Sequence, residues 1–568
     1  MNCFLPGRAA AAALLASLIA APLGAQRGEP APVAAGRVPA YAAYAPGFDV
    51  LHYRIAIALP ESGTHIAATA TLSVAVVAPR RDTLRLDLSG LRATAVQAAT
   101  RGAALRPAAF RQGDGRLFVA VPAEARTGDT LRIEIAYEGE PDDGLIIRQN
   151  VRGSRAIFAD NWPDRARFWF PSIDHPGDKA TVEFEVRAPR GWEVVANGNR
   201  VGAARETEIP ADGVWRSRVP VPIPTYAMVI GATDFAIGTV TPCARGGRAP
   251  SRETDCVPVT YWAYPADSAR AASTFRRAGQ MIEYYASRFG PFPYQKLAHV
   301  QSSTRYGGME NVGAIFYSEQ AIAEGRLGET TVAHETAHQW FGDAITESHW
   351  NHLWLSEGFA TYFGMQFFES ADGVTRFREL VQGAASGYMN SDVTDLAIVD
   401  TTAVPRNDLF ALLNANSYQK GGLVLHMLRG LLGDSAFFAG IRRYADRHLH
   451  GNAGTADLRR ALEESSGRDL GGFFEQWVYR PGFPTYRVSH TWDAAARQAV
   501  LTVEQRQKAA WPVFSMPIEF EFTTPQGTVR RKLDISGRRA VVRVDLPAPP
   551  SGVRLDPDGW LLKRVEGS

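Results

Sequence analysis

From residue 45 to about 238, apolar and polar positions alternate in short runs. Tyr53, Ile55, Ile57 and Leu59 share one face of an extended segment. Leu84, Leu86 and Leu88 repeat the pattern, as do Leu131, Ile133, Ile135 and Tyr137. Period-two alternation bounded by Gly, Pro and Asp predicts half-buried antiparallel strands. After residue 239 the period changes. Residues 267–290 run at helical spacing and stop at Gly290, just before Pro291. Helical patterns recur around His334, from His352 to Phe368, from Tyr418 to Leu432 and from Ser435 to His448. Beyond Pro484 the stretches "AVLTVEQ", "IEFEF" and "AVVRVDL" alternate again. The expected fold class is multidomain α+β. An N-terminal antiparallel β domain takes 46–238. A mostly α domain with a small leading sheet takes 239–482, and a C-terminal β-sandwich takes 483–568. No repeat of roughly 20 to 50 residues is visible, so a solenoid is not indicated.

Composition adds little to this, but the N-terminus adds much. The 568 residues are 45% hydrophobic and 21% charged, an ordinary globular balance for several domains. A formal net charge of +2 gives no reason to expect nucleic acid or an anionic membrane as partner. Arg8, the apolar run Ala9 to Ala21 and small residues near Ala25 match an export signal over 1–25. The run is short against the ~20 residues of a membrane span. Cys3 precedes it, the wrong place for a lipid anchor. Residues 26–45, rich in Ala, Pro and Gly, read as a flexible leader. The expectation is a secreted or periplasmic protein with no integral membrane segment after cleavage. Cys243 and Cys256 flank a polar loop. In an oxidising compartment a disulfide is expected between them, two free thiols being the alternative.

The stretch "VAHETAHQWFG", Val332 to Gly342, carries the candidate chemistry. His334 and His338 lie one helical turn apart and can share one metal ion. Glu335 is rotated about 100° from His334 on a 3.6-residue helix, so it can miss the ion and reach a water. A metzincin site would need Gly at 341 and His at 344, where this chain has Phe341 and Ala344. Glu347, His349, His352 and Glu357 remain as candidates for a third ligand. Glu357 completes a His2Glu set if its helix runs back antiparallel to the first, leaving one position open for water or substrate.

The whole stretch "HETAHQWFGDAITESHWNHLWLSEGFATYF" closely resembles the gluzincin zinc aminopeptidases, the family of aminopeptidase N and leukotriene hydrolase. Their motif is HExxH, eighteen residues, then Glu, and residues 339–356 supply the eighteen. The resemblance implies a thermolysin-like catalytic domain and one Zn2+ per chain, held by His334, His338 and Glu357, with Glu335 as catalytic base. It usually has Asn where this chain has Ser356. "YGGMENVGAIFYS" resembles the family's Gly-x-Met-Glu-Asn segment, an edge strand that binds the substrate backbone. It implies substrate contacts from Gly307, Gly308, Met309 and Asn311, with Glu310 on the free α-amine. "NSYQKGGLVLHMLRGLLG" resembles the Tyr-x-Lys-Gly context and implies that Tyr418 donates a hydrogen bond to the developing oxyanion. The family commonly places an amine-binding Gln upstream, where this chain has Asp160, which the resemblance implies as a second contact to the ammonium, a turn aspartate in "ADNWPD" being the alternative. Matches at "NWPDRARFWFPSIDHPGDKATVEFEV" and "FFEQWVYRPGFPTYRV" extend the resemblance over most of the chain. Many relatives continue into a helical-repeat domain, whereas this sequence ends after a β-rich segment, which argues against an epoxide-hydrolase role.

The expected activity is removal of N-terminal residues from peptides with a free amine. Two rivals remain. A thermolysin-like endopeptidase would share the metal site without needing an amine anchor. An inactive peptide-binding protein on the same fold would be expected to have lost a ligand or Glu335, and neither is lost. Oligomeric state is open.

Overall fold

The computed structural model describes residues 44, 47–78, 82–202, 208, 210–399 and 409–566. The expected export signal, and the leader apart from Tyr44, lie outside the described residues. Two compact units are present. One runs to Ser287 and resumes over Pro291–Ala344; the other comprises Arg288–Gly290 and the chain from Ile345 onward.

In the first unit the alternation at the start of the chain becomes sheet. Phe48–Ala58 pairs antiparallel with Ile66–Val76 and parallel with Lys179–Arg187, at the middle of an eight-stranded sheet. Tyr53, Ile55, Leu131, Ile133 and Ile135 are all fully buried, as their period-two spacing requires. A four-stranded sheet carries Arg155–Ala159 between Ile230–Thr233 and Leu145–Gln149. A five-stranded sheet follows, in the order Ala236–Arg245, Cys256–Ala263, Leu297–Ser302, Ala314–Ser318, Gly308–Met309. Gly308–Met309 is therefore an edge. A disulfide joins Cys243 to Cys256 across the first pair of this sheet, with Cα atoms 4.6 Å apart.

In the second unit the helices Trp354–Asp372, Gly421–Leu432 and Asp434–His448 follow the helical periodicity, and Val374–Met389 is a helix that the periodicity did not mark. The C-terminal strands form a four-stranded and a three-stranded sheet. Leu501 and Val503 from one and Phe520 and Phe522 from the other share a single core, which makes this a sandwich. The sandwich is fastened to the helices. The Trp560 indole lies where Gly430 has no side chain and stacks on His426 at 4.7 Å. No described helix is long and apolar enough to cross a membrane.

Candidate functional site

The Glu329–His338 helix presents His334 and His338 as the i, i+4 spacing requires. Their Nε2 atoms are 3.0 Å apart. His338 Nδ1 lies 3.0 Å from the Phe341 carbonyl, so Nδ1–H donates there and the Nε2 lone pair faces His334. Two neutral imidazole lone pairs at that separation repel unless a proton or cation sits between them. The pair therefore fits a shared metal ion.

The surroundings fix this helix from several sides. Tyr285 donates to the Ala333 carbonyl at 2.9 Å. Tyr226 donates to the Gly342 carbonyl, and Lys179 Nζ to the carbonyls of Asp343 and Ala344. Gln339, fully buried, is a residue the sequence reading missed. Its amide nitrogen donates to the Glu310 carbonyl (2.9 Å) and to Asp343 (2.8 Å), and its oxygen accepts from the Gly313 N–H. One side chain thus ties the helix to the segment after the edge strand. Its position directly after the second histidine was the available signal, but a lone Gln carries no chemistry that spacing can flag.

The edge strand lies against the helix. Gly308 pairs with Tyr317 and Met309 with Phe316, leaving the strand's other side without a neighbour in its sheet. A methyl group built on Gly308 would overlap the Glu335 carboxylate. Glycine there leaves the room that the Glu335 side chain occupies, a reason distinct from close approach by substrate. Carboxylate oxygens of Glu310 and Glu335 and a ring nitrogen of His338 lie within 4.8 Å of one another. Both acids are buried, and Asp343 sits behind them with its pKa pushed well up, by burial first and by the charge of Glu310 next. The two neighbouring carboxylates, Glu310 and Glu335, are suited to an ammonium ion. Asn311 occupies the turn after Glu310, fully buried, with neither side-chain amide atom bonded among the described residues.

Asp160 follows the Arg155–Ala159 strand and is buried. It pairs with Arg165 at 3.1 Å and Arg305 at 3.4 Å, and accepts weakly from Thr304 Oγ1 and the Arg305 N–H. Two guanidinium groups thus meet its charge, and it braces residues 304–305 just ahead of the edge strand. Arg165 and Arg305 also share Asp143.

In the second unit Glu357 stands in the first turn of Trp354–Asp372, buried. The Tyr418 hydroxyl donates to its Oε1 at 2.9 Å. Tyr418 is in a π-helical turn, Asn416–Lys420, closed by the Lys420 N–H on the Ala415 carbonyl at 2.9 Å. The pairing depends on glycine: a Cβ on Gly358 would lie 2.8 Å from the Gly421 carbonyl carbon, so the two helices touch backbone to backbone. Two other candidates for the third ligand are engaged locally. His349 caps a short helix by accepting from the Asn351 N–H. His352 Nδ1 is 2.9 Å from Thr455 Oγ1, and burial lowers its pKa to about 4. Glu347 lies buried in the Thr346–Glu347 strand.

Two protein families match this chain: Peptidase M1 N-terminal domain over residues 50–226 and Peptidase family M1 domain over residues 274–477. Together they take in roughly two thirds of it. The chain is 29% identical to aminopeptidase N of Streptomyces lividans, over 70% of this chain and 45% of that protein. It is 28% identical to a tricorn protease-interacting factor of Thermoplasma acidophilum, over 67% of this chain and 48% of that protein. It is 26% identical to a leucyl aminopeptidase of Saccharolobus solfataricus, over 72% and 51% respectively. The chain spans about half the length of these curated relatives.

Proposed function

Because the chain belongs to peptidase family M1, we propose that it is a zinc-dependent aminopeptidase acting on peptides with a free N-terminus. His334, His338 and Glu357 are the proposed ligands, from the HExxH-eighteen-Glu spacing and the facing Nε2 atoms of the two histidines. Zinc bound there supplies Lewis acidity towards the scissile carbonyl and makes water a stronger acid.

The protein's own groups do the rest. The peptide's first residues extend along Gly307–Met309 by pairing with the free side of that edge strand. The terminal ammonium is received by Glu310, and Asn311 shapes the turn beside it. Asp160 helps from a distance, by holding the chain ahead of the strand. Glu335 accepts a proton from the attacking water and returns it to the departing amine. Tyr418, whose hydroxyl rests on Glu357 Oε1 in this structure, turns its one O–H to the oxygen on which negative charge develops.

The observation that carries this reading is the placement of Glu310 beside Glu335, at the end of an open strand. A carboxylate whose oxygen is held within 4.8 Å of the base's favours a substrate that begins there. An endopeptidase has no use for it. Matched peptides with free and acetylated N-termini test the point. Rapid release of the first residue from the free peptide only is expected, and equal rates on both would overturn the exopeptidase assignment. The Cys243–Cys256 disulfide supports a secreted or periplasmic location.

A further inference from the structure

Lys420 is fully buried. Its Nζ donates to the Arg480 carbonyl at 3.1 Å and lies 5.5 Å from the centre of the Tyr388 ring. Among the described residues it has no carboxylate partner within ion-pair distance. Burial accordingly pulls its pKa down to about 7. A buried amine met, among the described residues, by a carbonyl and a ring face costs stability, and an apolar side chain of similar length would fill the space without that cost. The position calls for a reason beyond packing.

The reason lies in what the lysine terminates. It is the last residue of the π-helical turn that carries Tyr418. The front of that turn is braced twice. Ser417 Oγ donates to the Leu412 carbonyl at 2.7 Å, and Asn416 Nδ2 donates to the carbonyls of Val393 and Leu396. The rear is braced by Lys420, whose partner Arg480 belongs to the segment between the Gly471–Trp477 helix and the first sandwich strand, Thr485–Asp493. A π turn places one extra residue in the helix and has no long run of identical turns to enforce its geometry. The aim of a side chain at its centre therefore depends on what clamps each end.

We propose that Lys420 is a positioning residue for Tyr418: by gripping the exit segment at Arg480 it fixes the rear of the π turn and with it the direction of the Tyr418 hydroxyl. Through this bond the segment leading to the C-terminal sandwich takes part in setting the oxyanion donor. The inference rests on the aminopeptidase reading for its catalytic consequence, but its structural core does not need it.

The test is Lys420→Met, which keeps an unbranched side chain one atom shorter and removes the donor. With an aminoacyl amide as substrate, kcat is expected to fall about 10- to 100-fold, the range a misplaced catalytic group produces, with KM within twofold. Zinc content should be unchanged and the thermal midpoint no lower than that of the parent. In a Tyr418→Phe background the same substitution should lower kcat no further, because the group it acts through is gone. A multiplicative second drop would overturn the proposal, as would parental kcat in the single variant. A parallel arm uses metal-free protein labelled with 13Cζ-tyrosine: the Tyr418 resonance, assigned by its loss in Tyr418→Phe, should move in Lys420→Met. If the parent hydrolyses no free-amine peptide, the aminopeptidase reading fails, while this resonance still decides for or against the positioning role. If Lys420→Met is recovered only as aggregate, Lys420→Leu, which likewise removes the donor to the Arg480 carbonyl, replaces it under the same criteria.

Discussion

In the Glu329–His338 helix, two ligand candidates and the proposed base come from five consecutive residues, and helical geometry alone sets their relation. In the Trp354–Asp372 helix, Glu357 has its hydrogen-bond partner 61 positions away, in a π turn with its own bracing. The first arrangement survives small shifts of the helix, because all three side chains move together. The second survives only while two helices keep one separation, and that separation is set by a contact between glycines, where no side chain intervenes. The chemistry of one region is local, and that of the other is a product of packing. The two should respond differently to substitution.

Glu335→Gln should give the largest loss. It removes a proton acceptor while keeping the volume of the side chain, so the expected fall in kcat is about 10³- to 10⁴-fold. Zinc content and thermal midpoint should stay at the parental values, since no ligand and no packing atom is lost. A variant with kcat within tenfold of the parent would show that the local helix does not supply the base.

Gly358→Ala is the matching probe of the second region, and it removes no functional group at all. The added methyl carbon would stand 2.8 Å from the Gly421 carbonyl carbon, and backbone cannot swing aside as a side-chain tip can. The helices must part, at a cost of about 1–3 kcal/mol. Tyr418 should then lose its hydrogen bond to Glu357, with kcat down about 10- to 100-fold. Differential scanning calorimetry and steady-state kinetics read both effects. If stability falls and kcat does not, the Tyr418 geometry is not tied to the glycine contact. Gly308 shows the contrast within one residue type: a methyl there meets the flexible end of Glu335, not backbone.

The same division explains what could be read in the sequence. The alternation at Tyr53, Ile55 and Ile57 fixes which face is buried, and these residues lie inside as expected. His334, Glu335 and His338 were legible because an i, i+4 relation needs no knowledge of the rest of the fold. The edge strand at Gly308 was legible by resemblance, yet its glycine serves Glu335, a fact only the packed structure contains. The roles of Gln339, Lys420 and Gly358 were invisible for a common reason, although Lys420 stands in the Tyr-x-Lys-Gly context. Their roles consist of contacts with Glu310, Arg480 and Gly421, and no local pattern marks a residue for a distant partner. The π turn around Tyr418 was read as the start of a helix, since an inserted residue leaves the apolar period almost intact over one turn.

Asp160 tests the first region where register gave a position but not a role. Its carboxylate is already met by Arg165 and Arg305, and the groups it braces belong to the chain just before Gly307. An acid so occupied adds little further attraction for a substrate ammonium, because the guanidinium charges offset its own. Asp160→Asn keeps the shape and removes the charge, leaving Arg165 buried with Asp143 as its remaining acid. Stability should fall by about 2 kcal/mol, the scale of a hydrogen bond to a charged group. The preference for free over acetylated peptides should stay within twofold of the parent, while Glu310→Gln erases most of it. Loss of that preference in Asp160→Asn, at unchanged stability, would make Asp160 a direct amine ligand. The charge selecting the chain end would then be divided between two strands, in place of one carboxylate beside the base.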